Sequence, residues 1–543
     1  MTGHPFSFII FLLKKEREME RTFWVVKIIL AAALGMGVLR AQVSTWVRAI
    51  GGADKDEGRA IIQIPGGYLV AALTRSGGAG QDDALVMSLD VMGMPVWSRA
   101  YGGNAIDNAK DMIMTADGNY IFAGATRSMG VGQSDAFVCK IDIAGTVIWA
   151  SAAGTATLNE AANAVYECSD GSIIIAGTQV VAARNEIMVA KLNAAGGLLW
   201  MRTIQGANND EAHAIVQASD GNYIVTGFTN SWGSGFDDAF ILKFDPNGNL
   251  LWMKVFGGAS TERSTSLANL ADGGIIVGGL VESWGNGSRD FLAAKFDVNG
   301  NYQWSNAIGG PNYDEGMAID QTRDGGYAIV GNRQDPGNAW SVVSAKLDPL
   351  GNLLWGNYVG GPNFENGEGI TATLDTGYAW VGYTNSWGFG GNEVLVARFT
   401  IDGDNCWGTP WNPGVVPFVP NIASISPTVS NTGAWQNINP VVTIINLNEF
   451  EICALYEDLG EGGACPGHGL EFTGRQLVFW LPGTCPVTLS IYDPAGRFVA
   501  RPVDGALLGP GKHSLALADL SPGVYFARLD SGEGVLTCRF VTR

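Results

Sequence analysis

The chain has 543 residues, of which 16% are charged and 46% hydrophobic, with 75 glycines and a formal net charge of −19. This composition is typical of an acidic, glycine-rich β protein that is long enough for several domains. The acidic balance argues against nucleic-acid binding, which requires a basic surface.

The first 41 residues differ in character from the rest of the chain. An apolar run over residues 22–39 is interrupted only by Lys27. The pattern predicts a secretory signal peptide over residues 1–41, cleaved after Ala41, and Met19 offers a more ordinary start for it. An uncleaved membrane anchor is the alternative, although the run is near the lower length limit for crossing a bilayer. A cleaved signal would bring the protein to the membrane only during export.

Tryptophan then recurs along the chain with a nearly constant spacing. Successive gaps are 51 or 52 residues. A fixed period near 50 indicates a repeat architecture, and eight tryptophans enclose seven periods. The series is Trp46, Trp97, Trp149, Trp200, Trp252, Trp304, Trp355 and Trp407.

The period from Trp304 to Trp355 shows what one repeat contains. Short apolar runs alternate with glycine-rich turns such as Asp324-Gly325, which predicts four short strands, three turns and no helix. Seven four-stranded antiparallel units predict an all-β fold, a seven-bladed β-propeller over residues 42–407. One outer strand is spare in this count. We therefore expect residues 43–52 to complete the last sheet and close the ring.

The period ends after Trp407. Residues 408–475 are predicted to be a Pro-rich linker followed by β structure without a clear module, and residues 476–543 form a small last domain. Most cysteines lie in this C-terminal part, where disulfides suit an exported protein. Seven cysteines leave at least one unpaired, and the sequence does not fix the connectivity. The candidate pairs are Cys485 with Cys538 and Cys453 with Cys465.

The repeats resemble a known group of proteins. Residues 220–252, DGNYIVTGFTNSWGSGFDDAFILKFDPNGNLLW, are similar to the units of extracytoplasmic bacterial propellers. This resemblance implies the fold over residues 46–407. It implies no particular activity, because propellers host many unrelated functions.

The tail resembles the C-terminal sorting domain of the type IX secretion system. The matching landmarks are Ile491-Tyr492-Asp493, Gly511-Lys512-His513, Gly523-Val524-Tyr525-Phe526 and the closing strand 537–541. The resemblance implies an immunoglobulin-like β-sandwich, the type IX secretion machinery as partner, and a secreted or outer-surface location. An immunoglobulin-like domain of flagellar hook caps shares much of the same pattern.

Two sets of acids or amides recur at corresponding positions of the repeats. The first precedes the innermost strand: Asp56, Asp107, Asn159, Asp210, Glu262, Asp314 and Glu365. The second precedes the third strand: Asp83, Asp135, Glu186, Asp238, Asp290 and Glu393.

Repetition in every blade favours a structural role for these acids. They would cap turns or pair with third-strand cations, which are Lys140, Lys191, Lys243, Lys295, Lys346 and Arg398. The functional alternative is an acidic face that binds calcium, with Asp56, Asp210 and Asp314 as candidate ligands. No other cofactor is expected.

Three repeats carry Ser-Trp-Gly on the loop before the third strand, with Trp232, Trp284 and Trp387. An exposed indole beside the carboxylates of Asp238 and Asp290 would suit a sugar ring of an extracellular glycan. Packing against the adjacent blade is the alternative, since aromatic side chains are more often structural.

No catalytic residue is predicted, because the sequence has no G-x-S-x-G, HExxH or P-loop motif, and His213, the only histidine of the repeats, suits a plain strand position. The leading hypothesis is a non-catalytic binding or scaffold module for a glycan or protein ligand. A secreted enzyme is a second hypothesis. The repeated D-x-x-G-x-x-x-W resembles the repeat of quinoprotein dehydrogenases, and a glycan-cleaving enzyme would also fit the fold. A structural surface or adhesion component is the third.

Overall fold

The computed structural model describes residues 45–542 except 338, 389, 404–408, 411–412, 418, 431–433, 438–440, 446, 456–469, 474–475, 482–484, 493–497, 510, 517–522 and 531–534. The signal peptide prediction, Trp407, Cys406 and Cys465 lie outside these residues. The chain divides into two compact units, one over residues 43–455 and one containing the C-terminal strands. No described segment forms a helix with the length and apolarity needed to cross a membrane.

The first unit is a seven-bladed propeller, so the predicted all-β fold is confirmed. Strand β1 is Thr45–Gly51. Blade 1 comprises β2 (Asp56–Ile64), β3 (Gly67–Thr74), β4 (Asp83–Asp90) and β5 (Pro95–Gly102). Blade 2 comprises β6 (Asp107–Met114), β7 (Tyr120–Thr126), β8 (Asp135–Ile141) and β9 (Val147–Gly154). Blade 3 comprises β10 (Glu160–Glu167), β11 (Ile173–Val181), β12 (Arg184–Leu192) and β13 (Leu198–Gln205). Blade 4 comprises β14 (Asp210–Gln217), β15 (Tyr223–Thr229), β16 (Asp238–Phe244) and β17 (Leu250–Gly257). Blade 5 comprises β18 (Glu262–Asn269), β19 (Ile275–Val281), β20 (Asp290–Phe296) and β21 (Tyr302–Gly309). Blade 6 comprises β22 (Asp314–Gln321), β23 (Tyr327–Gln334), β24 (Trp340–Leu347) and β25 (Leu353–Val359). Blade 7 comprises β26 (Glu365–Ala372), β27 (Tyr378–Thr384) and β28 (Glu393–Phe399), together with β1.

The N-terminal strand closes the ring as the sequence predicts. Strand β1 pairs antiparallel with β28, with Trp46 opposite Arg398. The Trp46 side chain is completely buried in a hydrophobic cluster that joins blades 7 and 1. Closure therefore joins the two ends of the repeat array through both backbone hydrogen bonds and buried apolar surface.

The repeated tryptophans connect each blade to the next one. Trp200 of blade 3 donates its indole N–H to the Pro246 carbonyl of blade 4 at 3.1 Å. The indole ring lies against Gly248, whose φ of +79° lies in the left-handed region and where an added Cβ would be 2.8 Å from the ring. The D-x-x-G turn therefore uses glycine for two reasons, the backbone conformation and the space that the neighbouring tryptophan occupies.

A fifth strand is added to every blade by the chain that follows the propeller. These strands are β29 (Thr409–Pro410), β30 (Gly414–Pro417), β31 (Asn421–Ile425), β32 (Thr428–Ser430), β33 (Ala434–Asn437), β34 (Val441–Ile444) and β35 (Asn448–Leu455). They pair antiparallel with β25, β21, β17, β13, β9, β5 and β1, in that order. Residues 409–455 thus run backwards around the whole ring, and we call this segment the belt.

The belt differs from the Pro-rich linker predicted for residues 408–475. Pro413, Pro420 and Pro427 are seven residues apart and each precedes a belt strand, whereas Pro410 and Pro417 lie within β29 and β30. Proline lacks a backbone donor, so it suits both the crossings between blades and the edge position that the belt strands take in each sheet.

The C-terminal unit contains two antiparallel sheets. One consists of β36 (Leu470–Thr473), β37 (Gln476–Leu481) and β40 (Gly511–Ala516). The other consists of β38 (Cys485–Tyr492), β39 (Phe498–Leu508), β41 (Gly523–Asp530) and β42 (Val535–Thr542). One cluster with Leu477, Phe479, Leu489 and Leu529 draws on both sheets, so they form a sandwich. Because β36 belongs to it, the unit begins before the predicted boundary at residue 476.

The backbone register does not support the predicted Cys485–Cys538 disulfide. Cys538 on β42 is opposite Ala527 on β41, which is opposite Ile491 on β38, six residues from Cys485. Two strand spacings of about 4.8 Å already exceed the Cα separation of about 7 Å that a disulfide allows. The alternation of apolar and polar residues along a strand does not show which strands are neighbours in a sheet, so the sequence could not reveal that β41 lies between β38 and β42.

Candidate functional site

The two ends of the propeller differ in how their carboxylates are partnered. The turn end carries the hairpin turns after the first and third strands, and the loop end carries the other connections. At the turn end, Lys295 Nζ lies 2.5 Å from Asp272 Oδ2 and lowers the pKa of that carboxyl. The corresponding pairs are Lys140–Asp117, Lys191–Asp170, Lys243–Asp220, Lys346–Asp324 and Arg398–Asp375.

At the loop end, each innermost strand begins with a buried acid. Asp107 accepts hydrogen bonds from Gly103 N at 2.8 Å, Ser128 Oγ at 2.6 Å and Thr126 Oγ1. The acid thus joins the Gly-Gly turn that enters the blade to the Thr-x-Ser segment that follows its second strand. The ring consists of Asp56, Asp107, Glu160, Asp210, Glu262, Asp314 and Glu365. Blade 3 uses Glu160, which corrects the predicted Asn159.

A second buried acid lies at the same register of each third strand, as the first residue in most blades and as Glu186 within β12 in blade 3. Blade 6 has Ser341 at this register. Asp290 Oδ2 accepts the backbone N–H groups of Asn286 at 2.8 Å and Gly287 at 3.2 Å. Its Oδ1 is buried without a hydrogen-bond partner, as is Asp83 Oδ1 in blade 1. One oxygen therefore caps the loop while the other faces the junction between blades.

At these junctions an acid of one blade faces an acid of the next. A Cβ on Gly102 would lie 2.0 Å from Asp83 Oδ1 and 2.7 Å from Asp107 Oδ2, so the two carboxylates approach each other across a glycine. Burial raises the pKa of Asp83 to about 6, and the charge of Asp107 adds to the effect. Burial also raises the pKa of Asp314 to about 6, with Asp290 as its charged neighbour.

These contacts separate the predicted roles of the two acid sets. The acids do cap turns, but they do not pair with the third-strand cations, because those cations lie at the turn end beside the Asp-Gly aspartates. Asp56, Asp210 and Asp314 lie on three different blades. Within the described ranges no three His, Cys, Asp or Glu side chains come together to hold a metal ion. Calcium binding stays a prediction.

The tryptophans of the Ser-Trp-Gly loops are half-buried. Trp232, Trp284 and Trp387 each pack against a hydrophobic cluster built from two neighbouring blades. Below the first two lie Asp238 and Asp290, which are buried and cap the loops with their Oδ2 atoms. This placement favours inter-blade packing, and sugar binding at these loops stays a prediction.

A β-bulge interrupts the innermost strand at the same place in all seven blades. In blade 2 the pairing with β7 shifts between Ala109 and Asp111, which leaves Lys110 without a partner residue. A bulge turns one side chain away from the regular alternation and is common next to binding sites. The seven bulge residues all differ: Arg59, Lys110, Asn163, His213, Thr265, Met317 and Glu368.

All seven bulge residues line the central channel, whose volume is about 470 Å³. Arg59 donates to Glu368 and to Glu57, both at 2.7 Å. Lys110 donates to Asn163 Oδ1 at 2.6 Å, and His213 Nε2 lies 3.4 Å from Glu211 Oε2. The channel therefore presents a ring of chemically different groups inside a framework that repeats in every blade.

Two carboxylates of the channel wall tie neighbouring inner strands together. Asp111 accepts the Val165 N–H of blade 3 at 2.8 Å, and Asp320 accepts the Ala372 N–H of blade 7 at 2.8 Å. Burial raises the pKa of Asp111 to about 6, although these hydrogen bonds oppose the shift. Backbone amides thus occupy both oxygens of each carboxylate, because Met112 N and Gln321 N donate to the two Oδ1 atoms.

An aromatic wall stands at the loop-end mouth of the channel between blades 6 and 7. The ring centroids of Trp340 and Phe364 are 6.1 Å apart, and Phe364 stacks on Tyr383 at 5.9 Å. The Arg59 guanidinium lies 5.7 Å from the Tyr383 centroid. Asn366 Nδ2 donates to Tyr383 Oη at 2.8 Å, while Asn366 Oδ1 is buried without a hydrogen-bond partner. Aromatic rings and the Arg59 cation therefore converge here.

Sequence reasoning missed both the channel ring and this wall. A signal for the ring was present, since a small residue precedes every bulge and an acid stands two residues before that small residue. The small residues are Gly58, Ala109, Ala162, Ala212, Ser264, Gly316 and Gly367. The aromatic wall had no local signal, because its members come from separate connections and strands.

No known family model matches the chain. The chain is similar to the regulatory protein FlaEY of Caulobacter vibrioides, with 25% identity over 182 residues that represent 30% of this chain and 19% of FlaEY. The chain thus spans less than a fifth of that relative.

Among solved structures, Sqt1 from Chaetomium thermophilum shares 12% identity at a TM-score of 0.35, covering 65% of this chain and 99% of Sqt1. Endo-1,5-alpha-L-arabinanase from Thermotoga petrophila shares 10% identity at a TM-score of 0.24, covering 66% of this chain and 99% of the arabinanase. Similarity at this level identifies no family for the chain, and its function has to be inferred from the site itself.

Proposed function

We propose that this chain is a non-catalytic binding propeller that takes a carbohydrate ligand at the loop-end mouth of its central channel. The observation that carries the proposal is the bulge of the innermost strand, which is present in every blade but holds a different residue type in each. If the bulge residue had the same structural role in all seven blades, one residue type would serve in all of them. Seven different side chains around one cavity suit a ligand with many distinct polar groups.

The aromatic wall gives the ligand a second type of contact. The half-buried rings of Trp340, Phe364 and Tyr383 offer apolar surface for the C–H groups of a sugar ring. The adjoining channel, lined by the bulge residues and the strand residues that follow them, has a volume of about 470 Å³, which is within the range of small-ligand sites.

Binding is favoured over catalysis by the state of the channel carboxylates. Glu57 and Glu368 both accept from Arg59, and Asp111 and Asp320 accept backbone amides. Hydrolysis of a glycosidic bond requires two carboxyl groups that are free to act as acid and as base or nucleophile.

A glycan array probed with the full chain and two double variants tests this proposal. Trp340→Ala with Phe364→Ala removes the aromatic wall and should abolish binding with little change in the unfolding temperature. Trp232→Ala with Trp284→Ala is the matched control and should retain binding, with a lower unfolding temperature because these rings pack between blades. The opposite pattern would place the glycan on the Ser-Trp-Gly loops.

We also propose that the C-terminal sandwich directs export through the type IX secretion machinery, which would make the protein secreted or displayed on the outer surface. The support is the resemblance of the tail together with a separate two-sheet unit after the belt. Removing residues 476–543 should leave the propeller in the periplasm of a host with that machinery. Equal yield at the surface without the tail would show that the unit is not the export signal.

A further inference from the structure

The strongest unexplained feature of the channel is the state of one of its cations. The lining of the channel includes one arginine, Arg59, and one lysine, Lys110. Arg59 is neutralised by two carboxylates, Glu57 and Glu368. Lys110 donates to the amide oxygen of Asn163, and among the residues that the structure describes it makes no ion pair.

We infer that the carbohydrate taken by the channel carries a carboxylate, as a uronic acid does, and that Lys110 binds this group. The inference rests on the proposed function and names the class of ligand for the same site. A charged ammonium whose nearest partner is a neutral amide gains a charge-assisted hydrogen bond when a carboxylate arrives. The charge of Arg59 is already balanced by Glu57 and Glu368.

The surroundings of Lys110 fit this role. The Lys110 side chain is exposed in the channel, so a ligand can reach it. Burial and the positive charge of Arg59 lower the pKa of Lys110, while the carboxylates of Glu211 and Glu368 oppose this shift. Asn163, which holds the ammonium, also donates to the Ala212 carbonyl at 2.8 Å and is therefore fixed in orientation. His213 and Thr265 follow on the next two blades and continue an arc of polar side chains for the ligand hydroxyls.

The channel carboxylates oppose an anionic ligand less than their number suggests. Glu368 is paired with Arg59, and Asp111 and Asp320 each have both oxygens bonded to backbone amides. Arg59 and His213 both have a carboxylate partner, so among the described residues of the wall Lys110 is the basic side chain without one.

Calorimetric titration of the full chain with glucuronate, its methyl ester and glucose tests the inference, because the ester removes only the charge. We expect glucuronate to bind roughly tenfold more tightly than either neutral sugar. Lys110→Met should abolish this preference and Lys110→Arg should restore it. Lys254→Met is the matched control, because Lys254 binds the carbonyls of Asn299 and Gly300 far from the channel.

The outcomes separate this inference from the proposed function. Equal binding of the three sugars, unaffected by Lys110→Met, would overturn the carboxylate inference and leave carbohydrate binding intact. Absence of binding for all three, with no signal on a glycan array, would overturn both. A preference for glucuronate that survives Lys110→Met would overturn the assignment to Lys110.

Discussion

The first residue and the bulge residue of each innermost strand lie a few positions apart, yet they follow opposite rules. The first residue is an acid in all seven blades, is buried, and bonds to the same turn and the same Thr-x-Ser segment where that segment is present. The bulge residue differs in every blade and lines the channel. Uniformity under burial indicates a structural role, whereas diversity at a fixed geometric position is what the proposed binding role requires.

The largest expected effect comes from breaking the repeated framework at its closure. Trp46 is fully buried and donates its indole N–H to the Val91 carbonyl at 3.1 Å. Trp46→Ala should lower the free energy of unfolding by about 3–5 kcal/mol, measured by urea denaturation. A variant that unfolds at the same urea concentration as the parent would show that the packing of Trp46 on strand β1 does not hold the ring closed.

A smaller effect should come from pH, because the loop-end acids are buried beside each other. The folded-state pKa of Asp83 is raised to about 6, above its ordinary value, so its contribution to stability is complete below about pH 4 and is lost as pH rises through 6. Asp83→Asn should therefore stabilise the protein by about 1 kcal/mol at pH 7.5 and have little effect at pH 4. A variant that is less stable at pH 7.5 would contradict the opposed-acid geometry.

At the turn end, Asp272 should show the opposite dependence of stability on pH and is the control for Asp83. Lys295 lowers the pKa of Asp272, so that carboxyl stabilises the fold above its ordinary pKa and ceases to do so as the pH falls. Asp272→Asn should therefore be destabilising at pH 7.5 and neutral at low pH, as followed by thermal unfolding. If Asp83→Asn and Asp272→Asn change stability with pH in the same direction, general charge repulsion explains both.

The smallest effect on stability is expected at the bulge. Met317→Gln changes the chemistry of the channel wall without removing a buried contact of the repeated framework. Its free energy of unfolding should stay within about 0.5 kcal/mol of the parent. A loss comparable to that of Trp46→Ala would mean that the bulge residues also hold the blades together.

The sequence predicted the parts of the fold that repeat. Tryptophan spacing and the Asp-Gly turns predicted seven blades. The extra outer strand in that count predicted that β1 completes blade 7. The belt strands were not predicted because their period is seven residues instead of 51 or 52, and because short strands between prolines have the composition of a linker. The channel residues were not predicted for a different reason. A bulge shifts strand alternation by one residue, so Lys110 and Glu368 could not be assigned to the channel by counting along the strand.

One paired measurement on strand β6 tests the central claim most directly. Asp107→Asn and Lys110→Met lie three residues apart in the same strand, and both remove a single charge. Urea unfolding and glucuronate affinity should be measured on each variant. Asp107→Asn should lower the unfolding free energy by about 1–3 kcal/mol and leave the affinity of the folded protein unchanged. Lys110→Met should leave unfolding unchanged and reduce affinity roughly tenfold. The reverse pattern, or two variants that change both properties equally, would contradict the separation of framework and recognition within one strand.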